Sequence, residues 1–80
     1  SLWWAFSFAQ AQQPVVDSLT RVLEASEGEQ KVKVLNELFR ATQSQDPVTA
    51  IGYARQAANL ARGVNDTKGL AAAYNNLGVA

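Results

Sequence analysis

Apolar residues return every three or four positions through most of this chain. From Val15 they fall at Val15, Val16, Leu19, Val22 and Leu23, a spacing that gathers them on one face of a helix and predicts one over residues 15–26. Gly28 breaks the pattern, because glycine takes the left-handed backbone that closes a helix at little steric cost. A second stripe follows at Val32, Leu35, Leu38, Phe39 and Thr42. It predicts a second helix whose wet side carries Lys31, Lys33, Glu37 and Arg40.

Ser44, Gln45, Asp46 and Pro47 mark the next stop. Asp46 is suited to cap the following helix, and Pro47 sits at its first position, where a missing N–H loses no hydrogen bond. The third stripe is built of small residues, Ala50, Ala54, Ala57, Ala58 and Ala61, flanked by Ile51, Tyr53 and Leu60. Alanines at that spacing let a second helix approach closely. Gly63 is expected to cap its C-terminus and Asp66 the N-terminus of a last segment holding Leu70, Ala71, Ala73, Tyr74 and Leu77. The fold class expected is all-α, with antiparallel helix hairpins joined by short turns.

The ends of the chain differ from its middle. All fourteen charged residues lie between Asp17 and Lys68, and four of the seven aromatics stand in Leu2 to Ala9. That uncharged run falls short of the roughly 20 residues a bilayer span needs. It is followed by Ala9-Gln10-Ala11, a small-x-small pattern, and then by polar Gln12 and Gln13 and by Pro14. Residues 1–11 therefore read as the remnant of a secretory signal peptide, cleaved after Ala11, with the mature domain over 12–80. The competing reading keeps the segment as a first helix that packs on the fold or tethers it to a membrane. The sequence has no methionine and its last residues, Asn75 to Ala80, carry no charge or cap; the expectation is a fragment of a longer protein.

Composition narrows the chemistry. With no cysteine and no histidine among 80 residues, the chain offers no zinc-finger ligand set, no disulfide framework and no Cys or His nucleophile pair. Seven basic residues balance seven acidic ones, which leaves no electrostatic footprint for nucleic acid. Glu24, Glu27 and Glu29 cluster at a helix end beside Lys31 and Lys33, the pattern of a solvated charged turn. Asn65-Asp66-Thr67 matches the glycosylation acceptor triplet, which arises often by chance. Gly63 to Gly69 lacks the spacing of a phosphate loop. These readings predict a protein that is not an enzyme, with no cofactor and no metal.

An internal repeat gives a more positive indication. Leu35-Asn36-Glu37-Leu38 and Tyr74-Asn75-Asn76-Leu77 share a register 39 residues apart. The segment Lys68-Gly69-Leu70-Ala71-Ala72-Ala73-Tyr74-Asn75-Asn76-Leu77-Gly78 resembles the first helix of a tetratricopeptide repeat, in which a bulky aromatic precedes Leu-Gly by three residues. Upstream, Leu35 takes the aromatic position, Leu38 the Leu, and Phe39 replaces the Gly. Ala50, Ala54 and Ala57 match the second helix, although Ala54 is small where an aromatic is usual. On this resemblance residues 15–26 are a leading helix, 29–63 a first full repeat, and 66–80 the first helix of the next.

The resemblance implies a tetratricopeptide-like α-solenoid that binds protein or peptide, or neighbouring repeats of its own chain. Leu35, Leu38, Phe39, Ala50, Ala54, Ala57, Tyr74, Leu77 and Gly78 are then expected between helices. Asn36, Arg40, Gln43, Asn75 and Asn76 are expected exposed on a concave binding face, with the alternative that the asparagines are ordinary helix-surface amides or bond to neighbouring helices. The repeat is nearer 40 than the family's usual length of about 34 residues, as in bacterial signalling proteins. Together with the signal-like segment this implies a bacterial, exported or periplasmic sensor or assembly module. The alternative is a fragment of a sensor histidine kinase or transcriptional regulator whose output domain, with a transmembrane helix, lies downstream.

Overall fold

The computed structural model describes the backbone of residues 2–79 and the side chains of residues 13–78. It contains four helices in chain order, α1 (Leu2–Ala25), α2 (Gly28–Thr42), α3 (Pro47–Gly63) and α4 (Thr67–Val79), and every regular element among the described residues is helical. The all-α expectation is met. Helix α2 is the hub, touching α1, α3 and α4, whereas among the described residues α1 touches α2 alone. The Cα atoms span 15 Å in their thinnest direction, the depth of two helix layers with axes about 8–10 Å apart.

The boundaries follow from local chemistry. Gly28 takes φ +58°, the left-handed backbone its sequence position predicts. Asp46 caps α3 by accepting from the Thr49 N–H at 3.2 Å and the Thr49 hydroxyl at 2.6 Å, with Pro47 in the first turn. Two hydrogen bonds to one carboxylate hold its charged form, so the Asp46 pKa lies below its ordinary 3.8. Asp66 caps α4, accepting from the Gly69 N–H at 2.9 Å.

One cap differs from expectation. Gly63 stays inside α3, and the left-handed residue is Asn65, at φ 58°. The Asp66 N–H reaches the Ala61 carbonyl at 2.9 Å and the Asn65 N–H reaches that of Arg62 at 3.4 Å, the paired bonds of a Schellman ending. Asparagine, after glycine, is the residue that tolerates this conformation best.

Packing joins large residues of α2 to small ones of α3. Val32 and Leu35 form one buried cluster with Ala57, Ala58, Ala61 and Ala73, edged by Leu23, Tyr53, Leu60 and Leu70. Phe39 forms a second with Ala50 and Ala54, edged by Tyr53 and Leu77. Leu38 is also fully buried. Each such side chain contributes roughly 1.5–3 kcal/mol by leaving water. The alanine stripe is thus the floor on which the bulky face of α2 rests.

Two of the residues expected in the core are outside it. Helix α4 turns Leu70, Ala73, Asn76 and Leu77 inward, and Tyr74 falls one position off that stripe, 51% exposed. Its hydroxyl accepts from the Arg62 guanidinium at 2.6 Å, and that guanidinium sits 5.9 Å from the ring centroid. Gly78 is exposed, with open space where a Cβ would stand.

The first helix begins earlier than residue 15. Its backbone runs unbroken from Leu2 and includes Pro14, which supplies no N–H to the ladder. The reading of residues 1–11 as a signal peptide rests on side chains outside the described residues.

Candidate functional site

Helix periodicity alone places Glu29, Lys33, Asn36 and Arg40 on one face of α2, at successive steps of three and four. Across from them stand the first turns of α4, with Asp66, Lys68, Gly69 and Ala72. The two helices enclose an open groove of 290 Å³ lined by these residues. The short residues of α4 make it possible. A Cβ on Gly69 would meet Val32 Cγ1 at 2.5 Å and the Asp66 carboxylate closer still, so only glycine lets α4 come down on α2 here.

The base of the groove is a buried amide relay. Asn36, 4% exposed, donates from Nδ2 to the Gly69 carbonyl at 3.2 Å. Its Oδ1 accepts from Asn76 Nδ2 at 3.0 Å, and Asn76 is itself 6% exposed. Both asparagines were expected on an exposed face, and the structure corrects that. Their amides bond between helices, the alternative that the sequence left open. The pairing joins residues 40 apart in the chain.

The other expected binding residues divide. Arg40 is exposed and lines the groove; Gln43 and Asn75 are exposed but lie outside its lining. Lys33 and Lys68 line it as well. Periodicity contained the signal for Lys33, which shares a face with Asn36 and Arg40. Nothing local marked Lys68, whose place depends on how α4 docks.

The charge of the groove is uneven. Three of the seven cations of the chain, Lys33, Arg40 and Lys68, meet here. Of the two carboxylates present, Asp66 is occupied with the Gly69 N–H. Glu29 stands in the first turn of α2, favourably placed for the helix dipole. Among the described residues no three His, Cys, Asp or Glu side chains come together as a metal site, and no helix is long and apolar enough to cross a membrane. The site has the means to bind through charge and hydrogen bonds.

Compared with protein-family models, with curated proteins and with solved structures, the chain matches none.

Proposed function

We propose that this chain is a non-catalytic protein-binding scaffold, part of an exported tetratricopeptide-type array acting as a sensor or assembly module. The observation that carries the reading is the groove between α2 and α4, the first helices of successive hairpins, which presents polar residues outward while α3 supports it from behind. Such a surface suits an extended peptide or a neighbouring repeat.

The core offers a second line of support. Two positions depart from the family pattern, with Phe39 where Gly is usual and Ala54 where an aromatic is usual, and these two pack in one cluster. The bulk missing from α3 is supplied from α2. A paired exchange of this kind keeps volume constant, which is how cores tolerate substitution. The reading of export is supported by the uncharged aromatic run Leu2 to Ala9 and the Ala9-Gln10-Ala11 pattern that follows.

The experiment is selection from a displayed library of random peptides on the full chain, repeated with Ala72→Trp. Ala72 lines the groove and is half-buried, so an indole there fills the space while leaving the core untouched. Peptides enriched by the parent and lost with the variant agree with the proposal; enrichment that survives the substitution, or none at all, overturns it.

A further inference from the structure

We propose that two copies of this chain pair antiparallel through the outer face of α1, about a two-fold axis beside Ser18 and Leu19, with Asp17 of each copy meeting Arg21 of the other. This surface lies apart from the α2–α4 groove, and the inference does not depend on the reading of that groove.

The first observation is the stripe that α1 leaves uncovered. Helix α1 meets α2 along one side, where Leu23 edges the first core cluster. Away from it Val15, Ser18, Val22 and Ala25 are exposed, at steps of three and four residues that align them in a seam along the helix. Val15 is 51% and Val22 45% exposed, and among the described residues no element but α2 touches this helix. A single exposed valine needs no explanation. Two in register, with only serine and alanine between and beside them, make a surface that a second helix can approach closely.

The second observation names the occupant. Residues 15–23 read Val-Val-Asp-Ser-Leu-Thr-Arg-Val-Leu, the same order from either end: two apolar residues, a charge, a hydroxyl, and leucine at the centre, with only the sign of the charge reversed. A two-fold axis makes residue i of one copy meet residue j of the other, and j meet i. Val15 and Val22 have their midpoint between residues 18 and 19, and Asp17 and Arg21 have theirs at Leu19. One axis therefore serves both pairs to within a residue, about 1.5 Å along the helix. Arg21 borders the seam and Asp17 stands one turn earlier on the same side, the side that antiparallel packing sets against its own copy. Gln13 Nε2 donates to Asp17 Oδ1 at 2.9 Å, which orients the carboxylate and leaves it acceptor sites for a guanidinium. An interface of one helix is small, so the dimer expected is a weak one that grows with concentration.

The test is sedimentation equilibrium of the full chain over a concentration series, with Asp17→Arg and Arg21→Asp, each alone and the two mixed. The parent should pass from monomer to dimer as concentration rises. Either variant alone sets like charges together at both pairs, and its dimer should be weaker by about tenfold or more. Mixed in equal amounts the two should associate as the parent does, because the arginines of one meet the aspartates of the other. Arg55→Asp, exposed on α3, should leave the dimer unchanged. A parent that stays monomeric throughout, single variants that associate like the parent, or a mixture that fails to recover association would each overturn the pairing.

Discussion

Asn76 donates from its side-chain amide to that of Asn36 at 3.0 Å, with both residues buried. The pair ties α2 to α4 at the base of the groove, and Asn36 extends the tie by donating from Nδ2 to the Gly69 carbonyl. Buried amides stabilise only while they are paired, because an orphaned partner keeps its desolvation cost. Asn36→Ala should therefore lower the unfolding free energy by about 1–3 kcal/mol. The double variant with Asn76→Ala should cost less than the sum of the two single changes, by about 0.5 kcal/mol or more. Urea denaturation of the four proteins measures this; strict additivity would mean that the bond carries no energy.

Phe39 and Ala54, which pack in one buried cluster, make a second cycle. Phe39→Ala should cost about 3–5 kcal/mol by opening a cavity, and Ala54→Phe about 1–3 kcal/mol by overpacking. Combined, the new ring occupies the space the old one left, and the double variant should recover about 1 kcal/mol or more relative to the sum. Chemical denaturation at equilibrium is again the measurement. A double variant no better than the sum would show that the two positions do not share one volume.

Gly69 sets helix propensity against tertiary contact. On propensity alone Gly69→Ala in α4 should gain up to about 1 kcal/mol. The structure predicts a net loss of about 1–3 kcal/mol, because the added Cβ meets Val32 and the Asp66 carboxylate. Pairing it with Val32→Ala should soften the clash, so that the second change costs less in the variant than in the parent. A stabilised Gly69→Ala protein would contradict the close approach of α4 to α2.

The Asp46 cap predicts a pH dependence. Its carboxyl pKa is lowered in the fold by the two bonds from Thr49, so the unfolded chain takes up the proton first as pH falls. The stabilisation is complete above the unfolded value near 3.8 and is lost as pH drops through the lower folded one. Thermal melting at pH 7 and pH 3 should show a larger fall for the parent than for Asp46→Asn, which has no charge to lose. Equal falls would remove the cap from the account of acid stability.

Much of the fold was legible because its signals are local. The stripes of α2 and α3, the Asp46-Pro47 start and the Asp66 cap all act within a turn or two of the chain. The errors arise where a long-range contact decides. Tyr74 looks like a core aromatic from its spacing to Leu77, yet docking of α4 through Ala73 and Asn76 turns it to Arg62 and solvent. Asn36 and Asn76 look like surface amides because asparagine is polar, and only the closeness permitted by Gly69 and Ala73 buries them. Residue type alone points to Gly63 as the cap after α3, while Asn65 two positions later takes the left-handed role. At the groove, periodicity indicates the α2 half of the wall, but Lys68 joins it through packing alone.

The most direct test of the binding reading is to map where a peptide selected on the full chain touches it. Amide shifts followed through a titration should cluster at Lys33, Asn36 and Arg40 on α2 and at Lys68, Gly69 and Ala72 on α4, the two walls of one groove. Shifts gathered instead on exposed positions of α3, such as Arg55, Gln56 and Asn59, would place recognition on the opposite layer and contradict the account.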